Sequence, residues 1–127
     1  MEKRKKILLI DDEEDFCFFV QGNLENTGDF EVVYTNKGRK GIELAKTEKP
    51  DLILLDVVMP GMSGQEVAEE LLENPETKGV PIIFLTAIIT KENKEADTLQ
   101  TIGGRYLVAK PVNTEELAEA IKKVLKL

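Results

Sequence analysis

The sequence predicts an α/β protein in which helices cover both faces of a parallel sheet. Short apolar runs alternate with amphipathic segments along the chain, in a β-α pattern repeated five times. Strands that alternate with helices favour parallel pairing through right-handed crossovers. The runs at 7–10 and 52–55 are apolar at every position, which is typical of strands buried on both faces. We therefore expect a three-layer, doubly wound sheet of five parallel strands with five helices.

The first half of the chain supplies three strands and two helices. The first helix is indicated by apolar residues at helical spacing, with Gly28 just beyond them, and the second is closed by Pro50. The predicted elements, in chain order, are a strand at 7–10, a helix at 16–27, a strand at 31–34, a helix at 37–48 and a strand at 52–55.

The second half repeats the pattern with clearer helix starts. Ser63 precedes Glu66 by three residues, and Asn113 precedes Glu116 by the same spacing, which is typical of a capping box. Thr90 is a third candidate cap. The predicted elements are a helix from 63 to about 74, a strand at 82–85, a helix from 90 to the glycines at 103–104, a strand at 106–109 and a helix after 113.

Length and composition indicate one domain spanning residues 1–127. A chain of 127 residues can bury a core without disulfides, and Cys17, the only cysteine, lies in an apolar stretch where we expect it to be buried. No linker or repeat interrupts the pattern. No apolar run approaches the ~18 residues of a membrane helix. We therefore expect a cytoplasmic protein that does not engage a membrane.

Charge and residue types exclude several functions. The formal net charge of -7 argues against a nucleic-acid-binding domain, because such domains are basic. The sequence contains no histidine, which excludes Ser-His-Asp and Cys-His catalysis and zinc sites built on imidazole. The chemistry must therefore come from carboxylates, hydroxyls and lysines.

Polar residues follow the predicted strands where ligands bind in such sheets, just beyond the carboxyl ends. Asp11 and Asp12 follow the first strand, and Asp56 follows the third. Thr86 follows the fourth and Lys110 the fifth. We expect three carboxylates, a hydroxyl and an ammonium to converge on one edge.

This set of groups suits a phosphoryl-transfer site. Three adjacent carboxylates repel one another unless a cation lies among them, and Mg²⁺, or Mn²⁺ in its place, prefers such oxygen ligands. Lys110 and Thr86 could contact phosphoryl oxygens, and Asp56 is the natural nucleophile because carboxylates form acyl phosphates. The neighbouring acids at 13–15 are interpreted as a solvated helix start, where acids favour the N-terminal dipole.

Four segments in order resemble response-regulator receiver domains of two-component signalling, over essentially the full chain. The matching segments are 7–13, 54–64, 81–87 and 110–111. Each segment alone is a weak signal, but four at the correct strand ends are specific. The resemblance implies a flavodoxin-like sheet with strand order 2-1-3-4-5, and a chemotaxis-type single-domain switch.

The resemblance also implies a role for each acid. Asp56 would accept a phosphoryl group from a partner kinase's phosphohistidine. Asp12 and Asp56 would bind Mg²⁺ together with the backbone carbonyl of Val58, and Asp11 would assist through water.

Further roles follow for the residues that would respond to phosphorylation. Lys110 would hold the phosphoryl group, with a cis peptide bond to Pro111. Thr86 would move toward the phosphoryl oxygen and reshape the face formed by the fourth helix, fifth strand and fifth helix. The family usually has an aromatic switch residue three positions before the lysine, where this chain has Leu107. Tyr106 is four positions before, so either Leu107 replaces the aromatic, which we favour, or the strand has slipped by one residue.

The partners implied by the resemblance are a sensor histidine kinase or phosphotransfer protein, which donates the phosphoryl group, and a downstream protein target. We expect a monomer or weak dimer. The chain would not be an enzyme, because it would catalyse only its own phosphorylation and slow dephosphorylation.

Three alternatives stay open at this point. Some Mg²⁺-dependent phosphatases also use an aspartyl nucleophile, but they place a second acid two residues later, where this chain has Val58. The chain could be a degenerate receiver that does not bind Mg²⁺. It could also be a receiver domain cut from a larger regulator or hybrid kinase.

Overall fold

The computed structural model describes residues 4–87 and 99–127. Its strands are β1 (Lys5–Ile10), β2 (Phe30–Thr35), β3 (Leu52–Asp56), β4 (Ile82–Thr86), β5 (Leu99–Ile102) and β6 (Arg105–Ala109). Its helices are α1 (Glu14–Asn26), α2 (Gly38–Glu48), α3 (Gly64–Glu73) and α4 (Thr114–Leu125).

The strands form one sheet in the order β2-β1-β3-β4-β6-β5. The first five strands in this order pair in parallel, each with its neighbour, as the alternation of strands and helices predicts. The flavodoxin-like order 2-1-3-4-5 is therefore confirmed for the parallel strands. Parallel pairing places the carboxyl ends of β1, β3, β4 and β6 at one edge of the sheet.

Two apolar clusters, one on each face of the sheet, confirm the three-layer arrangement. One cluster joins β-strand residues to α1 and α4, and the other joins the opposite face of the strands to α2 and α3. Alternate residues along β1 and β3 point to opposite clusters, so these central strands are buried on both faces. Such burial contributes about 1.5–3 kcal/mol for each fully buried leucine or isoleucine.

The two predicted caps are seen at the starts of α3 and α4. The Ser63 side chain accepts a hydrogen bond from the Glu66 N–H, and the Glu66 side chain accepts one from the Ser63 N–H, which completes a capping box. The Asn113 side chain accepts a hydrogen bond from the Glu116 N–H. These bonds satisfy N–H groups that a helix start would otherwise leave without partners.

A sixth strand replaces the end of the predicted helix at 90–103. Residues 99–102 form β5, which pairs antiparallel with β6 across a two-residue turn. The turn consists of Gly103 and Gly104, with φ of +59° and +80°. Positive φ at both positions is typical of the type I′ turn of a hairpin, so the glycines close a hairpin rather than end a helix. The first part of that predicted helix, up to residue 98, lies outside the described residues.

Among the described residues, no helix has the length and apolar character required to cross a bilayer.

Candidate functional site

Three carboxylates converge at the carboxyl edge of the sheet, as the sequence predicts. Asp11 and Asp12 follow β1, and Asp56 is the last residue of β3, the strand paired with β1. Each carboxylate offers one oxygen, and these three oxygens lie within 4.8 Å of one another. That spacing suits a small cation, because ligands around Mg²⁺ lie ~2.0–2.1 Å from the ion.

Asp11 is fully buried and is held in place by two kinds of contact. Its Oδ1 accepts a hydrogen bond from the Glu13 N–H at 2.9 Å. Its Oδ2 lies 2.7 Å from the Lys110 ammonium, an ion-pair contact without hydrogen-bond geometry, so within the described residues this buried oxygen has no hydrogen-bond partner. Burial raises the pKa of Asp11, against the lowering effect of Lys110.

The Lys110 ammonium lies close to several carboxylates at this edge of the sheet. It lies 2.7 Å from Asp11 Oδ2, 2.9 Å from Glu13 Oε1 and 3.7 Å from Asp56 Oδ2. Burial alone would lower the pKa of Lys110, but the close approach of the Asp11 and Glu13 carboxylates outweighs it, and the pKa is raised. The peptide bond to Pro111 is cis, as the resemblance to receiver domains implies.

Asp56 is buried, with only 5% of its surface exposed. Its Oδ1 accepts a weak hydrogen bond of 3.3 Å from the Val58 N–H, and its Oδ2 faces Lys110. Burial, followed by repulsion from Asp11, raises the pKa of Asp56 to about 6, although Lys110 lowers it. A carboxylate that is costly to ionise in this way gains most from a cation brought alongside it.

The loop after Asp56 is fixed by backbone contacts on both sides. The Val57 N–H donates to Leu85 O at 3.1 Å, and the Gly64 N–H donates to Val57 O at 3.0 Å. Val58 follows and is 64% exposed, and its N–H donates to Asp56 Oδ1 at 3.3 Å, so its backbone lies beside the acids.

The two predicted switch residues lie on one face of the sheet. Thr86 is buried and lies opposite Ala109 in the β4–β6 ladder, while Leu107 lies opposite Phe84. Leu107 packs against the α2–α3 cluster, on the same face as Thr86, and strand alternation places Tyr106 on the other face. The ladder runs without a bulge from Ile83 to Thr86, so the register places Leu107, and not Tyr106, on the face of Thr86.

A cleft of about 240 Å³ opens over these groups and is lined by Asp12, Glu13, Asp56, Val58, Ala87 and Lys110. The residues present fit a divalent cation for two reasons. Asp11 Oδ2 is a buried acceptor without a hydrogen bond, and the three acids are brought close enough to repel one another.

Sequence reasoning missed two residues of this site. Glu13 was interpreted as part of a solvated helix start, but its carboxylate pairs with Lys110. Phe16 was predicted only as one of the apolar residues of the helix at 16–27, with no role in the site, yet its ring centroid lies 4.5 Å from the Lys110 ammonium. Both contacts join residues more than 90 positions apart, so no local pattern indicates them.

Cys17 has the inert, buried character that the sequence predicts. Its thiol is fully buried and donates to Asp11 O at 3.4 Å. Burial, with repulsion from Asp11, raises its pKa to about 12, so the reactive thiolate is scarce at neutral pH.

Comparison with known proteins agrees with the fold. The family model of the response regulator receiver domain matches residues 7–122. The chain belongs to this family, and is therefore a receiver domain of two-component signalling.

Similar proteins include both single-domain and longer regulators. The chain is 34% identical to Protein PilH of Pseudomonas aeruginosa over 122 residues, which cover 94% of this chain and 97% of that protein. It is 30% identical to the polar-differentiation response regulator DivK of Brucella anthropi, covering 95% and 96%. It is 36% identical to the alkaline phosphatase synthesis transcriptional regulatory protein PhoP of Bacillus subtilis, covering 96% of this chain but only 49% of that protein.

Solved structures show the same fold. Chemotaxis protein CheY4 of Vibrio cholerae superposes with a TM-score of 0.80 at 29% identity, covering 96% of this chain and 99% of that one. A response regulator from Chloroflexus aurantiacus gives 0.80 at 26% identity, covering 98% and 100%.

Proposed function

We propose that the chain is a phosphorylation-activated switch that accepts a phosphoryl group on Asp56 in a Mg²⁺-dependent reaction. The donor is a phosphohistidine on a sensor histidine kinase or phosphotransfer protein. The observation that carries the proposal is the convergence of Asp11, Asp12 and Asp56 beneath the Lys110 ammonium in one small cleft.

The acceptor chemistry follows from the two oxygens of Asp56. Oδ1 is engaged by the Val58 N–H, which leaves Oδ2, on the Lys110 side, to attack phosphorus. A bond forms between Asp56 Oδ2 and phosphorus as the P–N bond of the donor breaks, and the imidazole nitrogen leaves with the electron pair. Lys110 is placed to offset the negative charge that the incoming phosphoryl oxygens bring.

The acids beside Asp56 would hold the cation. Asp12 and Asp56 would supply carboxylate oxygens, the Val58 carbonyl would supply a third protein ligand, and Asp11 would act through water. Bound Mg²⁺ would supply charge neutralisation of the acids and of the phosphoryl oxygens. Asp11 is held for this role by the Glu13 N–H.

The same cleft favours slow loss of the phosphoryl group. Hydrolysis requires water to attack phosphorus, and fast enzymes of this chemistry use a general acid-base group beside the nucleophile. At the position two residues after Asp56, the chain has Val58, whose side chain cannot transfer protons. We therefore propose a switch and not a turnover enzyme.

The change would reach partners through the face that contains β6 and α4. Thr86 lies one strand from Asp56 and would move toward the phosphoryl oxygen, while Leu107 on the same face would give way or repack. Leucine has no hydroxyl and differs in shape from the aromatic residue usual in the family. We propose that phosphorylation shifts an existing equilibrium between two packing arrangements of Thr86 and Leu107. The output we propose is contact with a downstream protein, without nucleic-acid or membrane binding, by a monomer or weak dimer.

Acetyl phosphate is expected to phosphorylate the chain once in the presence of Mg²⁺. This small donor transfers its phosphoryl group without a kinase. Transfer of one phosphoryl group to the Asp56 carboxylate adds about 80 Da to the intact mass of the protein. Intact-protein mass spectrometry, with and without EDTA, measures this directly.

The Asp56→Asn variant is the matched control, because it keeps the shape of the side chain and removes the nucleophile. The variant is expected to stay unmodified under identical conditions. Equal phosphorylation of this variant, or of the wild-type chain in excess EDTA, would overturn the proposal. Rapid multiple-turnover hydrolysis of a phosphomonoester would favour the phosphatase alternative.

A further inference from the structure

We infer that Glu13 is a positioning residue whose carboxylate competes with the acceptor carboxylate of Asp56 for the Lys110 ammonium. The Phe16 ring contacts the same ammonium and limits its movement. The inference rests on the proposed phosphoryl acceptance at Asp56. Glu13 immediately precedes α1 and Phe16 is in its first turn, so the start of one helix would regulate how readily the lysine serves the acceptor.

The distances show where the lysine is held. The Lys110 ammonium lies 2.9 Å from Glu13 Oε1, with which it forms a hydrogen bond, but 3.7 Å from Asp56 Oδ2. Its contact with Asp11 Oδ2 is 2.7 Å. The ammonium is therefore drawn toward the β1–α1 side of the cleft and away from the acceptor carboxylate.

Phe16 limits the remaining freedom of the ammonium. The ring centroid lies 4.5 Å from Lys110 Nζ, within the range of a cation–π contact. Residues three apart at a helix start lie on the same side, so Glu13 and Phe16 can contact one ammonium together. The Lys110 side chain is only 12% exposed as a result of this enclosure.

The carboxylates around the Lys110 ammonium compete with an incoming phosphoryl group for its N–H donors. Lysine has three N–H donors, and two of its near neighbours here are carboxylates that do not accept the phosphoryl group. Asp11 is buried and fixed, but the Glu13 side chain is 65% exposed and can be neutralised without opening the core. Removing its charge should release the ammonium toward the oxygens of an incoming phosphoryl group.

The test compares two single-charge variants, Glu13→Gln and Glu14→Gln. Both remove one negative charge from the start of α1, but no ion pair of Glu14 with Lys110 is found within the described residues. The slope of the phosphorylation rate against acetyl phosphate concentration, with Mg²⁺, is measured for each. Because exposed ion pairs are weak, Glu13→Gln is expected to raise this slope roughly threefold over Glu14→Gln, and the difference should shrink in high salt.

A spectroscopic readout separates positioning from a general charge effect. In the chain without donor, the Lys110 ammonium resonance should move in Glu13→Gln and stay in place in Glu14→Gln. In Phe16→Leu, the side-chain protons of Lys110 should lose the ring-current shift produced by the aromatic face. These signals need no phosphorylation, and they report the lysine directly.

Two results would overturn the inference while leaving the proposed function intact. One is an equal slope for Glu13→Gln and Glu14→Gln, and the other is a slower reaction in Glu13→Gln, which would mean that Glu13 holds Lys110 in its productive position. Failure of the wild-type chain to accept a phosphoryl group would instead contradict the proposed function itself.

Discussion

Replacing Gly64 with alanine is expected to lower the free energy of unfolding by about 3 kcal/mol, because the added Cβ would clash with backbone atoms, which can move aside only if the loop or helix shifts. A Cβ at this position would overlap the Asp56 carbonyl oxygen and lie 2.9 Å from both the Asp56 carbonyl carbon and Val57 Cα. All three atoms belong to the backbone of the acceptor segment. They cannot rotate away as a side chain would.

The same substitution is expected to impair phosphorylation beyond its effect on stability. Gly64 is the first residue of α3, and its N–H donates to Val57 O at 3.0 Å, so the helix start and the acceptor loop are packed as one unit. Moving α3 outward would displace the Val58 carbonyl that we propose as a cation ligand. Urea unfolding and acetyl phosphate labelling of the folded variant measure the two effects separately.

Gly22→Ala is the matched control for this prediction. Gly22 is also in a helix, α1, but a Cβ there would meet nothing within 4 Å. Alanine in a helix interior is better than glycine by roughly 0.5–1 kcal/mol, so this variant should be more stable than the wild-type chain. Similar losses of stability in both variants would show that close packing at Gly64 is not the cause.

Asp56→Asn is expected to stabilise the metal-free chain by about 3 kcal/mol at pH 7.5, since each unit of pKa shift corresponds to ~1.4 kcal/mol. Burial raises the folded-state pKa of Asp56 from 3.8 to about 6. Below about pH 4 the carboxyl is protonated in both folded and unfolded chains, and it costs nothing. Between about pH 4 and 6 the unfolded chain releases the proton more readily, so ionisation destabilises the folded wild-type chain progressively. Above about pH 6 the cost is complete.

Urea unfolding in EDTA at pH 4 and pH 7.5 measures this difference. The gain from Asp56→Asn should be small at pH 4 and full at pH 7.5, whereas Asp15→Asn, at an exposed acid in the first turn of α1, should change stability by less than about 0.5 kcal/mol at either pH. Added Mg²⁺ should stabilise the wild-type chain more than Asp56→Asn, because binding to the folded state adds to its stability. A gain from Asp56→Asn that is equal at both pH values would contradict the linkage.

The parallel core and the acidic site could be predicted because each depends on short, local signals. Unbroken apolar runs mark β1 and β3, and Ser63 with Glu66 marks the start of α3. Parallel pairing then forces the residues after these strands to one edge, so Asp11, Asp12 and Asp56 could be placed together without any knowledge of side-chain contacts.

The hairpin of β5 and β6 could not be predicted in the same way. The segment Leu99–Ile102 is four residues long, and its apolar positions fit a helix end as well as an edge strand. Gly103 and Gly104 are consistent with both, because glycine adopts the positive φ of a helix end and of a type I′ turn. Pairing of residues 99–102 with β6, which is a contact between two segments of the chain, favours the strand over the helix end.

The surroundings of Lys110 show the second limit of sequence reasoning. The position of Lys110 after a predicted strand indicated that it belongs to the site, but not which carboxylates it contacts. Acids at the start of a helix are usually solvated, which made Glu13 look like Glu14. Only the fold brings the β6–α4 loop beside the start of α1, where one of these acids reaches the lysine and the other does not.

The most direct test of the central proposal locates the phosphoryl group on the chain. After reaction with acetyl phosphate and Mg²⁺, borohydride reduces an aspartyl phosphate to homoserine, and peptide mass spectrometry identifies the converted residue. We expect conversion at Asp56 alone, dependent on Mg²⁺ and absent in Asp56→Asn. Conversion at Asp11 or Asp12, or a phosphoryl group found on a serine or threonine, would contradict the assignment of Asp56 as the acceptor.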